Sequence, residues 1–199
     1  MVPLYGLVLA GGESKRMGTD KGKLRWHGKE QRLWMADLLR HFCTEVFISC
    51  RAEQVGEIDM HRYKTIKDEY TTAGPLGAIF SAFNKAQDVA WLVIACDLPY
   101  LDAPAIQYLV AHRDRNSIAT AYTSPENRLP EPLVAIWEPI ADEFLRSAFT
   151  QKMFSPRQIL IQQNARCISP ANPNTLTNVN YPEENEKVTG SLKSLNSSS

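Results

Sequence analysis

The chain has 199 residues, 44% hydrophobic and 22% charged, enough to bury a sizeable core within one domain. Its 22 basic residues balance 22 acidic ones, which excludes a general nucleic-acid binder, basic overall, and makes any positive field local. No apolar run approaches the ~18 residues of a membrane-spanning helix, and the first residues lack the basic and apolar regions of a signal peptide, so the expectation is a cytoplasmic protein off the membrane.

The pattern opens with an apolar strand over 4–10, which stops at Gly11-Gly12 and gives way to a basic loop running to about Lys23. A short extended piece over 24–27 ends at Gly28, and Leu33, Trp34, Ala36, Leu38, Leu39 and Phe42 recur at helical spacing over 30–42. Strands follow over 45–50 and 63–67, separated by a polar patch at 51–57. Gly74 closes a loop and Pro75 opens a helix to about Lys85, because the first turn of a helix tolerates proline. The strongly apolar 90–95 reads as a central strand. Asp102 then reads as the N-cap of a helix ending near His112. Strands over 117–121 and 133–137 flank a polar loop at 122–130, and helices over 139–149 and 156–161 complete the pattern. Alternating strands and helices with short connections imply a three-layer α/β, Rossmann-like fold with a mostly parallel central sheet. The expected domain covers 1–184, with 185–199 a polar, disordered tail. Cys43, Cys50, Cys96 and Cys167 lack Cys-x-x-Cys spacing and read as reduced core thiols, and the four histidines suggest no ligand cluster.

Two stretches carry chemistry. After the first strand, glycines let a backbone approach a ligand closely, and Lys15, Arg16, Lys21, Lys23 and Arg25 crowd the loop. Curled N–H groups with basic side chains suit a polyphosphate at the carboxyl edge of a sheet; the plainer reading is a solvated basic turn. Neither the Walker A nor the dinucleotide Gly-x-Gly-x-x-Gly pattern is present. Asp97 and Asp68 end the fourth and third strands, where a carboxylate projects into the ligand crevice and suits Mg²⁺ beside substrate phosphates. Local alternatives are an N-cap or Asx turn for Asp97 and a loop cap for Asp68.

The string Leu9-Ala10-Gly11-Gly12, then Arg16-Met17-Gly18, then Asp20-Lys21 resembles the signature loop of nucleotidyltransferases, most closely the molybdenum cofactor guanylyltransferase family. Cys96-Asp97-Leu98-Pro99-Tyr100 resembles that family's Cys-Asp-x-Pro-Tyr. Gly74-Pro75-Leu76-Gly77-Ala78 resembles its Gly-Pro-Leu-Ala-Gly with one small residue moved. Asn178-Val179-Asn180-Tyr181-Pro182-Glu183-Glu184 resembles its Asn-Val-Asn-Thr-Pro-Glu-Glu; as local sequence these asparagines are turn formers.

The resemblance implies transfer of GMP from GTP to the terminal phosphate of molybdopterin. Leu9, Ala10, Gly11 and Gly12 would lie around the nucleotide, and Arg16 and Lys21 would neutralise the triphosphate. Asp97 would hold Mg²⁺, Asp68 would bind the nucleotide, and Asn180 would touch acceptor or metal. It implies GTP and molybdopterin as substrates and a handover from other proteins of molybdenum cofactor biosynthesis. Where the family has a nucleotide-contacting asparagine after its second strand, this chain has Ser49, and its Lys-Pro-Leu is here Lys29-Glu30-Gln31. A cytidylyltransferase for the same cofactor, a sugar-phosphate nucleotidyltransferase, or a nucleotide-binding module without turnover are the alternatives.

Overall fold

The structure, a computed structural model, describes residues 2–12, 20–59, 61–179, 181, 184 and 188. Seven strands form one sheet: β1 (Leu4–Leu9), β2 (Glu45–Cys50), β3 (Lys64–Lys67), β4 (Ala90–Ala95), β5 (Ala119–Thr123), β6 (Pro130–Trp137) and β7 (Arg166–Ile168). Their order is β3-β2-β1-β4-β6-β5-β7. β1 pairs in parallel with β2 and β4, β2 with β3 and β5 with β7, while β6 runs antiparallel to both of its neighbours. The helices are α1 (Gln31–Leu39), α2 (Pro75–Lys85), α3 (Ala103–Ala111), α4 (Ala141–Thr150) and α5 (Pro156–Gln162). None of the described helices is long and apolar enough to cross a membrane.

Successive side chains of a strand point to opposite faces, and this sorts the apolar residues into two cores. Val8, Ile48, Leu92 and Ile94 pack with Met35 and Leu39 of α1 and Ile106 and Leu109 of α3. Leu7, Phe47, Trp91 and Val93 pack on the other face with Leu76 and Ile79 of α2, Leu145 of α4 and Ile159 of α5. β4 lies between β1 and β6 with both faces covered, so all six of its residues are buried, as its unbroken apolar run implies.

Several boundaries differ from the sequence expectation. α1 stops at Leu39 because the chain must turn: Phe42 N–H bonds back to Leu39 O (3.0 Å), and Thr44 N–H already donates to Leu4 O (2.9 Å) at the start of the β2 ladder. Residues 24–27 are irregular and end in a turn. There His27 stacks on Trp34, ring centroids 3.9 Å apart, and its Nε2 donates to Pro99 O at 3.0 Å. The polar patch winds into a 3-10 helix over Ala52–Glu57. β6 starts at Pro130 rather than at Leu133, pairing back onto Thr123 past a register shift at Ala121/Tyr122.

β7 was not expected, and it makes Cys167 an exposed edge residue rather than a core thiol. Within the expected polar tail, Val188 is buried with Trp26 and Val179; most of 185–199 lies outside the described residues.

Candidate active site

The parallel strands β1 to β4 deliver their carboxyl ends to one edge of the sheet, and there a cavity of about 430 Å³ opens. Leu9, Ala10, Gly11 and Gly12 line one side, Asp20 and Lys21 lie across the mouth, and Ala95, Cys96 and Asp97 come from the end of β4. Asp68, Thr71, Thr72 and the N-terminus of α2 at Gly74 and Pro75 close the remainder. Its volume falls in the range of small-molecule sites, roughly 300–1,000 Å³.

The strand-to-loop exit is held by backbone and by a guanidinium. Ala10 N–H donates to Ser49 O (2.9 Å) and Cys96 N–H to Leu9 O (3.3 Å), extending the ladder past β1. Arg51 Nη1 donates to Gly11 O (2.9 Å) and Gly12 O (3.1 Å), while its Nε bonds Glu53 (2.7 Å). Both peptide planes of the glycine turn are thereby fixed by one side chain. After residues 13–19, which are not described, Asp20 caps a 3-10 turn over Lys21–Lys23 by accepting from Gly22 N–H (2.9 Å). That turn sends Lys21 Nζ to within 3.1 Å of Asp97 Oδ2.

The N-cap alternative for Asp97 falls away, because Asp102 takes that role on α3, accepting from Ala105 N–H at 3.0 Å. The local alternative for Asp68 is present, since its Oδ1 accepts from Tyr70 N–H (2.9 Å), and the residue also lines the cavity. Burial pushes its carboxyl above the usual range, only partly opposed by the Tyr70 bond. Burial likewise pushes the Cys96 thiol far up, so it stays protonated and inert as a nucleophile.

Of the residues named from sequence, Leu9, Ala10, Gly11, Gly12, Lys21, Asp68 and Asp97 come together here. Arg16 and Asn180 lie outside the described residues. Ser49 does not join them: its side chain is fully buried inside β2, its hydroxyl has no partner, and it is not part of the cavity wall. Ser49 lies one residue inside the end of β2 and is enclosed by its neighbours, with no exposed surface. Arg51 and Gln54 were missed, hidden in what reads as a polar surface patch. The signal that could have found them is their place directly after a strand that ends beside the glycine turn.

Among the described residues no group of three or more His, Cys, Asp or Glu side chains gathers as a metal cage. Asp97 offers one carboxylate at the end of β4, and a carboxylate that shares a cation with substrate phosphates is a donor set that fits Mg²⁺.

Known proteins align with this geometry. The sequence profile of the MobA-like NTP transferase domain matches residues 6–167. A molybdenum cofactor biosynthesis bifunctional protein from Synechocystis sp. is 34% identical over 182 residues, 92% of this chain; the chain spans about half of that relative's length (52%). A molybdenum cofactor guanylyltransferase from Pseudomonas fluorescens is 28% identical over 184 residues, 92% of each chain. The crystal structure of molybdopterin-guanine dinucleotide biosynthesis protein A from Archaeoglobus fulgidus superposes with a TM-score of 0.76 at 21% identity, covering 96% of this chain and 99% of that one. A 2-C-methyl-D-erythritol 4-phosphate cytidylyltransferase from Thermus thermophilus shares the fold at 10% identity, with a TM-score of 0.71 and coverage of 94% and 98%. With its profile match spanning most of the sheet and the glycine turn at the head of the cavity, the chain belongs to the MobA-like NTP transferase domain family.

Proposed function

We propose that the protein transfers GMP from GTP to the terminal phosphate of molybdopterin and releases pyrophosphate. The observation that carries this is the Lys21–Asp97 pair, a cation and a carboxylate 3.1 Å apart at the mouth of a nucleotide-sized cavity headed by a glycine turn. An oxygen of the acceptor phosphate forms a bond to the α-phosphorus of GTP. The bond from that phosphorus to the bridging oxygen breaks, and pyrophosphate leaves with the electron pair. The attacking phosphate is already ionised at neutral pH, so no general base is required, in keeping with a cavity wall that has no histidine among the described residues.

Catalysis is then positioning and charge stabilisation. The Gly11–Gly12 turn receives the nucleotide. Lys21 turns from Asp97 to the phosphates and stabilises the charge gathering on the leaving group, and Arg16 is assigned the same work from the loop. Asp97 would hold Mg²⁺, which when bound supplies Lewis acidity and a template for the phosphate oxygens. Asn180 is assigned to the acceptor side. The names of the relatives support molybdopterin as acceptor and guanine as base.

Melting curves with Mg²⁺ and each of GTP, CTP, ATP and UTP, paired with a pyrophosphate-release assay on molybdopterin, test the proposal. A ligand at about 100 times its dissociation constant stabilises by roughly 2.7 kcal/mol, a shift on the order of 5–11 °C for a domain of this size. The expected result is that shift with GTP and release only when the acceptor is present. Preference for CTP or UTP would reassign the base, and binding without release would make the chain a non-catalytic module.

Asp68 gives a second prediction. Because burial raises its carboxyl, the folded state holds that proton more tightly than the unfolded chain, and stability falls as pH rises from the ordinary carboxylate value through the raised one. Asp68→Asn is therefore expected to melt no lower than wild type at neutral pH and to lose that downward slope. Its GTP affinity should drop by about tenfold, the scale of one charged hydrogen bond. Melting from acidic to neutral pH and calorimetric titration with GTP check both halves.

A further inference from the structure

Gln54 is 2% exposed and lies behind the cavity rather than in its wall. Its amide is used at both ends. Nε2 donates to Asp20 Oδ2 at 2.7 Å and to Ala10 O at 3.3 Å, and Oε1 accepts from Arg51 N–H at 2.9 Å. The three partners come from three segments: the exit of β1, the turn that carries Lys21, and the exit of β2. Each bears on the proposed phosphate cradle. Ala10 opens the glycine turn, Asp20 caps the turn whose first residue is Lys21, and Arg51 holds the carbonyls of Gly11 and Gly12.

A primary amide presents two N–H donors and a carbonyl acceptor at one end, and Gln54 meets a carboxylate, a carbonyl and an N–H with them. The Lys21 turn also has little freedom to drift. A Cβ at Gly22 would lie 3.3 Å from Arg32 Cδ and 3.5 Å from Ala10 Cβ, so the turn is packed against the same β1 exit that Gln54 ties down.

We propose that Gln54 is a positioning residue: acting through Asp20, it sets Lys21 in register with the Gly11–Gly12 turn, so that the cradle is formed before the nucleotide arrives. A group held in place in advance lowers the ordering cost of binding. This rests on the reading of the cavity as a nucleotide site.

Gln54→Met keeps the length and apolar stem and removes the amide. Gln54→Glu keeps an acceptor for Arg51 N–H but sets a carboxylate against the carboxylate of Asp20. Asp20→Asn leaves one oxygen to serve both Gly22 N–H and Gln54 Nε2. The measurement is calorimetric titration of each full-length variant with GTP and Mg²⁺, at a temperature where its own melting curve shows it fully folded, together with kcat and KM for pyrophosphate release.

Gln54→Met is expected to weaken GTP by about tenfold, with most of the loss in KM, and Gln54→Glu to weaken it further despite being the closer isostere. Added to Asp20→Asn, Gln54→Met should cost less than about threefold more, because contacting residues that act as one unit are non-additive. Folded Gln54→Met binding GTP within about twofold of wild type, or losses that multiply in the double variant, would overturn the proposal. Should Gln54→Met fail to fold, Asp20→Asn decides alone: unchanged GTP affinity overturns the proposal and a comparable loss supports it. Wild type that binds no nucleotide would instead remove the proposed function, and this inference with it.

Discussion

Asp97→Asn is expected to slow pyrophosphate release by on the order of 10²–10³-fold, the scale of losing one charge-stabilising group at a reacting phosphate. The amide has the same shape and still offers Lys21 an oxygen, so what disappears is the negative charge that would hold a divalent cation. The backbone role of the residue is untouched, since Val179 N–H donates to Asp97 O (3.0 Å) whatever the side chain. Stability should change little. The Lys21–Asp97 pair is part-buried, about one-fifth exposed on each side, and the amide keeps an oxygen for Lys21, so the loss is expected near 1 kcal/mol, the upper end for exposed pairs, or a melting shift of about 2–4 °C. Removing a carboxylate from a phosphate site also removes a repulsion, so GTP without Mg²⁺ should bind at least as well as to wild type. Steady-state release with and without added Mg²⁺, beside melting curves, separates the charge from the fold. Transfer within about threefold of wild type would show that Asp97 holds no catalytic cation, given the magnitude such a group carries.

The largest effect on stability is expected from Gly77→Ala. A Cβ there would lie 2.9 Å from the carbonyl carbon of Tyr70 and closer still to its oxygen, and the neighbour is backbone, which cannot rotate aside. That carbonyl also accepts from Ala73 N–H (2.8 Å), so moving it unwinds the 3-10 turn over Thr71–Ala73. Ser81 adds a second constraint, donating to Gly77 O (2.9 Å) and accepting from Glu69 N–H (3.3 Å). Overpacking of this kind costs about 3 kcal/mol, at the upper end of the usual range, or a melting loss of about 6–12 °C. Thr71, Thr72 and Gly74 would shift with the turn, so GTP affinity should fall in whatever fraction stays folded. Gly12→Ala is the control: a Cβ there meets nothing within 4 Å, and its melting temperature should match wild type. A Gly77→Ala protein that melts with wild type would mean that α2 and the Tyr70 turn separate at little cost.

The same contact explains a departure visible in the sequence. The resembled segment reads Gly-Pro-Leu-Ala-Gly, and this chain has Gly77 where that pattern has alanine and Ala78 where it has glycine. Here the Tyr70 carbonyl crosses α2 at residue 77, so the glycine must sit there, while residue 78 faces the cavity and carries the methyl.

By itself the sequence determined the layers and the head of the site. The apolar runs of β1 and β4, the break at Gly11-Gly12, the Pro75 start of α2 and the Asp102 cap are local signals, each readable because one residue or its immediate spacing dictates the backbone. Asp97 and Asp68 were legible for the same reason, since the end of a parallel strand is a position fixed by the strand itself.

The tertiary structure alone decided what depends on neighbours far along the chain. The antiparallel entry of β6 between β4 and β5, and the three-residue β7 at the edge, follow from sheet partners and not from any period in their own residues. Ser49 is enclosed by its neighbours inside β2 and stays out of the cavity wall, and Val188 was drawn from the polar tail into contact with Trp26. Arg51 and Gln54 read as surface charge and polarity until β2 was laid beside β1. Parallel pairing brought the exit of one strand, 40 residues from the glycine turn, against the exit of the other. Hydrogen bonds between such segments carry no trace in local composition, and here they link the exits of β1 and β2 to the turn at Asp20.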